Sequence, residues 1–448
     1  MGRLFGTDGV RGEANVTLKP ELAYKLGRAA AVYFGKKSAG RILIGRDTRI
    51  SGEMFESALV AGICSAGGHA ILAGVIPTPG IAYLTKKHGL DAGIVISASH
   101  NPFRDNGIKF FGGDGYKLPD AVEDEIEALV HRIETNDDLP RPNCELIGHT
   151  ENIPNLIEEY IDFVASTTSE NFSNMKIVLD CANGAAYNIM PRVLKKLGAD
   201  PIVIFAEPDG INMNENCGST HLENLRQKVL SEHADIGIAH DGDADRCLCI
   251  DENGNVIDGD HILIICALEM LKENRLKSRT VVTTVMANVG FHEAIKKFDL
   301  NVDVTKVGDR YVLESMLKND YRLGGEQSGH IIFSDYSTTG DGLITALQLL
   351  TSIKKSGKTA SVLNSLMTTY PQVLINVQVK SKDGWDSNSK ILDAMSTASK
   401  ELESNGGRLL VRPSGTEPLI RVMAEGKNLE QLNSICNRIA DIIKQELG

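Results

Sequence analysis

At 448 residues the chain is too long for one hydrophobic core, so three or four domains are expected, with apolar content ample to fill each of them. A net charge of −12, with no basic run interleaved with aromatics, excludes a nucleic-acid surface, whose affinity rests on cations that neutralise phosphates. No apolar run reaches membrane-spanning length and no export segment follows Met1; the eight cysteines lack CxxC or zinc-ligand spacing, so a cytoplasmic chain with reduced thiols and no membrane partner is expected.

Read in order, the chain repeats one unit of strand, helix and strand. "RILIGRD", "SGEMFESALVAGICSAGG" and "HAILAG" form the first copy. "MKIVLDCA", "NIMPRVLKKLG" and "ADPIVIF" form a second, and "TVVTTVMAN", "GFHEAIKKFD" and "LNVDVTKVG" a third. Such units favour mixed, largely parallel sheets flanked by helices, with ligand sites at the carboxyl ends of the strands. The last eighty or so residues differ: a strand "QVLINVQVK", a helix, two short strands around "RLLVRPSGTEPLIRVMAEG" and a closing amphipathic helix. The expected fold is three consecutive α/β domains, 1–150, 151–255 and 256–369, followed by a C-terminal α+β domain, 370–448, around a central cleft. A hinge near Tyr370 would let that last domain close over a substrate.

Four loops carry chemistry. "GIVISASHNPFRDNGIKFF" is a buried-type strand that delivers Ser99 to a tight polar turn with His100, Asn101 and Pro102. "DIGIAHDGDADRCLCID" sets Asp241, Asp243 and Asp245 within five residues between two strands. Three carboxylates that close repel unless a cation sits among them. The spacing imitates an EF-hand, but Arg246 stands where that loop needs glycine and strands replace its helices, so magnesium bound together with a phosphate fits better.

"GGEQSGHIIF" offers Glu326, Ser328 and His330 between glycines, an acceptor and a donor suited to sugar hydroxyls. "VRPSGTEPLIRV" supplies Arg412, Ser414, Gly415, Thr416 and Arg421, a cradle for phosphate. "SIKKSGKT" imitates a phosphate-binding Walker loop but follows a helix, so Gly357 is read as a helix terminator. One loop falls in each expected domain, and together they indicate phosphoryl transfer on a phosphosugar. A magnesium-dependent sugar phosphatase and a catalytically silent phosphosugar sensor are the rival classes.

"SASHNP", "DGDADR", "GEQSGH" and "RPSGTEP", in this order and spacing, resemble the α-D-phosphohexomutase superfamily over essentially the whole chain. "RLFGTDGVRG", the alanine in "DGDADR" and the glutamine in "GEQSGH" are most similar to the bacterial branch that acts on amino-sugar phosphates; mutases of mannose or glucose phosphates are the nearest alternative. The resemblance implies a phosphoserine at Ser99 and one Mg2+ per chain held by Ser99, Asp241, Asp243 and Asp245. It also implies a sugar 1,6-bisphosphate as intermediate and activator, and a monomer or homodimer. His100, Lys109 and Arg11 would surround the reacting phosphate, Lys109 first among the proton-transfer candidates with Arg11 and His330 behind it. Arg246 would hold the phosphoserine, and Lys306, Asp309 and Arg310 of "KVGDRY" would touch substrate.

Overall fold

The computed structural model describes residues 3–6, 8–36, 39–414 and 418–448. The first sheet collects β1 (Val10–Glu13), β2 (Arg41–Arg46), β3 (His69–Val75), β4 (Ala92–Ile96), β5 (Asp105–Gly112) and β6 (Thr150–Glu151), in the order β1-β5-β4-β2-β3-β6. Strands β4, β2, β3 and β6 run parallel, β5 adds antiparallel to β4, and β1 adds antiparallel to β5. Every residue of β4, "AGIVI", is buried, the pattern of a strand covered on both faces. The helices of this region are α1 (Pro20–Phe34), α2 (Gly52–Ser65), α3 (Thr78–Lys87) and α4 (Asp120–Thr135). Helices α1 and α2 cross at backbone distance: a Cβ on Gly27 would lie 2.5 Å from the Leu59 carbonyl oxygen, and one on Gly62 would collide with that of Tyr24.

After α5 (Leu156–Ser166), the second sheet is built from β7 (Ile177–Asp180), β8 (Ile202–Ile204), β9 (Ile236–His240), β10 (Cys247–Asp251) and β11 (Val256–Ile257), with α6 (Met190–Lys196) and α7 (Glu223–Glu232) between its strands. β9 and β10 form a hairpin with His240 opposite Cys247, so the aspartate loop is its tip. Next come α8 (Gly259–Lys272), β12 (Thr280–Thr284), α9 (Val289–Lys297), β13 (Asn301–Thr305), α10 (Asp309–Asn319), β14 (Leu323–Gly325), β15 (Ile331–Phe333), α11 (Gly342–Ser356) and α12 (Ala360–Asn364). The third sheet has the order β13-β12-β14-β15, and its β14–β15 hairpin ends in residues 326–330. An isolated bridge joins Arg246 to His330, so the two hairpin tips touch. Gly357 ends α11 with a left-handed φ of 65°, as a helix terminator does.

The chain forms two compact units, residues 1–286 with 301–366, and residues 287–300 with 367–448. The second contains β16 (Gln372–Gln378), α13 (Ser389–Glu403), β17 (Arg408–Pro413), β18 (Leu419–Glu425) and α14 (Leu429–Leu447), an antiparallel sheet β16-β18-β17 whose core is completed by the two helices. Helix α9 belongs with it. The Asn288 amide donates to the Tyr370 carbonyl (3.0 Å) and its oxygen accepts from the Tyr370 amide (3.0 Å), which pins Tyr370 inside this unit. The units part at 366/367, within four residues of the joint expected near Tyr370, and Tyr370 itself is held inside the second unit. No helix among the described residues is long and apolar enough to cross a membrane.

Gly62→Ala should force α1 and α2 apart, at a cost of about 1–3 kcal/mol. Thermal unfolding should show a midpoint lower by a few degrees, and an unchanged midpoint would contradict the close crossing.

Candidate active site

Strand β4 stops at Ile96, and the turn that follows puts Ser99 at a φ of 53°, left-handed backbone that a residue with a side chain seldom adopts. Such strain persists only where the surroundings over-determine the conformation. Here the determinant is Arg49, fully buried, whose guanidinium donates to the carbonyls of Ser99 (2.9 Å), Asn101 (2.9 Å), Asp105 (2.7 Å) and Pro102. Its Nε donates to Asp47 (2.9 Å), also buried. Asn214, from the second sheet's loops, donates to the Ser99 and Asn101 carbonyls at 2.9 and 3.1 Å.

The Ser99 hydroxyl, almost wholly buried, donates to Asp241 Oδ2 at 2.6 Å. Asp241, Asp243 and Asp245 are buried, and one oxygen from each lies within 4.8 Å of the others. Among the described residues no hydrogen-bond donor reaches the buried Asp243 Oδ1 or Asp245 Oδ1. Burial, and then Asp245 and Asp243, push the Asp241 carboxyl up to about 8. Unpartnered buried oxygens on converging carboxylates are what a hard divalent cation satisfies, so the residues fit magnesium. Asp243 Oδ2 also accepts from the Thr78 hydroxyl (2.7 Å).

Lys109 lies inside β5 and is 1% exposed. A strand places its side chain rigidly: the ammonium sits 2.8 Å from Asp243 and 3.0 Å from Asp8. Burial would favour the neutral amine, but Asp243 and Asp8 outweigh it and hold the proton firmly. Asp8 also binds Lys117 (2.6 Å) and Arg11 (2.5 Å), and Lys117 reaches on to Asp309 (2.5 Å). Burial would raise the Asp8 pKa; Lys109, Lys117 and Arg11 hold it well below the usual carboxylate range. His330 stands 3.4 Å from both Asp245 and Asp309. Burial opposes its protonation, and the two carboxylates favour it more strongly.

His100 lies 3.4 Å from the Ser99 hydroxyl, but burial, with Arg246 and then Arg11 nearby, pulls it down to about 4. It is a neutral imidazole at pH 7, so it offers the reacting phosphate hydrogen bonding and no charge. Arg246 is half-buried among Asp241, Asp245 and Glu326, whose charges raise its pKa against the effect of burial.

Glu326 and Ser328 are half-buried, and Glu326 Oε1 accepts from the Gly308 amide (3.2 Å), which ties the "KVGDRY" loop to the "GEQSGH" loop. Asp309 joins the charge network, whereas Arg310 is committed to Asp120 and to Glu314 (3.0 Å), and the Lys306 side chain is exposed without an ion pair. Arg412 and Arg421 lie in the second unit, directly opposite each other on β17 and β18. Burial, and then Arg421, weaken the hold of Arg412 on its proton, a stress that a bound anion relieves. The Ser414 carbonyl accepts from Lys382 (2.8 Å); Gly415 and Thr416 lie outside the described residues.

Sequence reading missed Asp8, Lys117, Thr78, Asn214 and the Asp47–Arg49 pair. "LIGRDTR", where charges follow directly on a buried strand, was the available signal for the last.

Family models for phosphoglucomutase/phosphomannomutase match the chain in four consecutive parts: α/β/α domain I over residues 2–137, domain II over 158–254, domain III over 258–370 and the C-terminal domain over 374–442. A phosphoglucosamine mutase of Pelotomaculum thermopropionicum is 54% identical over 446 residues, 99% of this chain and 100% of that protein. One of Desulforamulus reducens is 52% identical over 444 residues, 99% of both chains. Among solved structures, a phosphoglucomutase/phosphomannomutase family protein of Burkholderia thailandensis superposes with a TM-score of 0.81 at 24% identity, covering 100% of this chain and 98% of that one. Aspergillus fumigatus N-acetylphosphoglucosamine mutase, solved with GlcNAc-6P and magnesium, superposes with a TM-score of 0.70 at 18% identity, covering 99% and 96%. These two likenesses show the fold.

Arg49→Met should cost about 3–5 kcal/mol, because Asp47 is left buried without its counter-charge. Adding Asp47→Asn should recover part of that stability in thermal unfolding. Turnover should stay at least about a hundredfold down in both variants, because the carbonyls of the Ser99 turn have lost their common donor.

Proposed function

Because this chain belongs to the phosphoglucomutase/phosphomannomutase family, an isomerase family of phosphoryl-transfer enzymes, we propose that it interconverts glucosamine 6-phosphate and glucosamine 1-phosphate. The observation that carries the reading is the Ser99 hydroxyl held 2.6 Å from Asp241 at the mouth of the buried carboxylate triad. Ser99 Oγ carries the phosphoryl group and gives it to the free hydroxyl of the sugar phosphate. The resulting 1,6-bisphosphate turns over and returns its other phosphoryl group to Ser99. No water is consumed. A trace of the bisphosphate serves as activator by phosphorylating Ser99.

Asp241, Asp243 and Asp245, with the phosphorylated Ser99, would hold one magnesium ion, which supplies charge neutralisation on the transferring phosphoryl oxygens. Lys109 adds a fixed positive charge beside the same oxygens and, as an ammonium whose proton Asp243 and Asp8 hold firmly, donates a hydrogen bond to the oxygen that leaves. His100 offers a neutral ring nitrogen to Ser99, and Arg246 pairs with the phosphate that Ser99 bears. Arg11 pairs with Asp8 and orients it. Glu326 and Ser328 bind sugar hydroxyls, His330 fixes Asp245, and Asp309 with Lys306 borders the substrate. Arg412, Ser414, Gly415, Thr416 and Arg421 grip the phosphate that is not reacting. The reaction is assigned to the cytoplasm, where charge retains sugar phosphates. Its product is a sugar 1-phosphate of the kind activated to a nucleotide sugar such as UDP-N-acetylglucosamine for cell-wall synthesis.

Phosphorus NMR on the protein with magnesium, glucosamine 6-phosphate and a trace of the bisphosphate should show a growing sugar 1-phosphate signal, faster than with glucose or mannose phosphates. Release of inorganic phosphate alone would make it a phosphatase. Ser99→Ala should abolish the signal, and unaltered turnover in that variant would exclude a phosphoserine route.

Removing divalent ions with a chelator should stop turnover, and adding magnesium back should restore it. Lys109→Met should lower kcat by about 10²–10⁴-fold with a smaller change in KM, because its charge acts on the reacting oxygens.

A further inference from the structure

A second group of metal-type donors lies at the far edge of the first sheet. His69 opens β3, while His149 and Glu151 flank Thr150 at β6, the edge strand. β3 and β6 run parallel with Ala70 opposite Thr150 and Ile71 opposite Glu151, so His69 lies abreast of His149. Residues two apart on a strand share a face, which puts His149 and Glu151 on the side that His69 occupies. One donor atom from each residue lies within 4.8 Å of the others. The two imidazole rings are 4.1 Å apart between centroids and inclined at 49°.

The carboxylate is held in place. Arg41, abreast of His69 on β2, binds Glu151 Oε2 through Nε (3.0 Å) and Nη2 (2.9 Å). Oε1 has no protein donor among the described residues and remains available as a ligand, oriented by the hydrogen bonds that its partner oxygen accepts. The guanidinium charge opposes a cation, so the affinity is modest compared with a fully anionic site. The His149 amide also approaches His69 Nδ1 at 3.3 Å, a long contact that a metal on that nitrogen would replace.

We propose that His69, His149 and Glu151 form a zinc site of two imidazoles and one carboxylate, with a fourth position open to water. Nitrogen donors with a single carboxylate suit zinc; magnesium prefers oxygen alone, so this site and the aspartate triad select different ions. β6 contributes only two residues to the ladder. A metal bound to both strands would fasten this short edge strand to β3, and with it the segment that leads from the first sheet into α5.

The test uses cobalt as a spectroscopic stand-in for zinc, added to the full chain with its magnesium saturated. One equivalent should develop strong visible bands of a four- or five-coordinate nitrogen–oxygen site, and zinc should displace them. His149→Ala, at an exposed position, should lose those bands and weaken zinc binding by about tenfold or more, with mutase turnover unchanged. In the unaltered protein, zinc should also slow amide exchange at Thr150 and Glu151. Only the weak bands of a six-coordinate oxygen site, or identical zinc isotherms for the two proteins, would overturn the assignment.

Discussion

A chain of alternating charge organises the first unit. Beginning at Asp243 it runs to Lys109 (2.8 Å), Asp8 (3.0 Å), Lys117 (2.6 Å), Asp309 (2.5 Å), His330 (3.4 Å) and Asp245 (3.4 Å). It starts and ends on two carboxylates of the triad, so the triad closes it into a ring. The cost of gathering three buried carboxylates is met in part by cations delivered from other sheets. Lys109 comes from the first sheet, and His330 from the tip of the third sheet's β14–β15 hairpin. Buried pairs of this kind add little net stability, but removing one member strands its neighbour without a partner. The ring therefore behaves as one object, and the effects of changing its members are not additive.

The Ser99 turn obeys a different constraint. Its carbonyls point inward, and a left-handed residue at its centre needs something to hold it there. One arginine answers both needs, because five rigid N–H groups can satisfy several carbonyls at once while Asp47 balances the charge. A lysine at this position could not, since a single ammonium has three donors and no fixed fork. Burial raises the Asp47 pKa and Arg49 opposes the rise, so Asp47 depends on Arg49 for its charge.

What was legible in the sequence was local. Ser99 and the three aspartates, which the structure brings together, carry their signal within a few residues each, as do the strand–helix–strand repeats. Asp8 and Lys117 carry theirs mainly through partners about a hundred residues or more away, and in a linear reading each is an ordinary charged residue near a turn. Nothing local to Lys109 announces its burial in a strand; pairing with β4 extends β5 through it. The grouping of α9 with the C-terminal unit was also illegible. It rests on contacts such as Arg408 with the Ala287 carbonyl (2.6 Å) and the Val289 amide with Glu425 (3.2 Å), which no periodicity announces.

The charge state of Lys109 bears on how the reaction loses its proton. A lysine held between two carboxylates keeps its proton and is no base, and the neighbouring His100 is neutral but only weakly basic. Neither is the strong base that deprotonating a sugar hydroxyl in advance would require. Phosphoryl transfer does not require one. In a loose, metaphosphate-like transition state the attacking oxygen has formed little bond and keeps its proton until late. By then the oxygen has become acidic enough for a weak acceptor. What such a transition state does require is positive charge fixed around the equatorial oxygens and a leaving oxygen that can be protonated, and a site rich in immobile ammonium and guanidinium groups is built for that requirement.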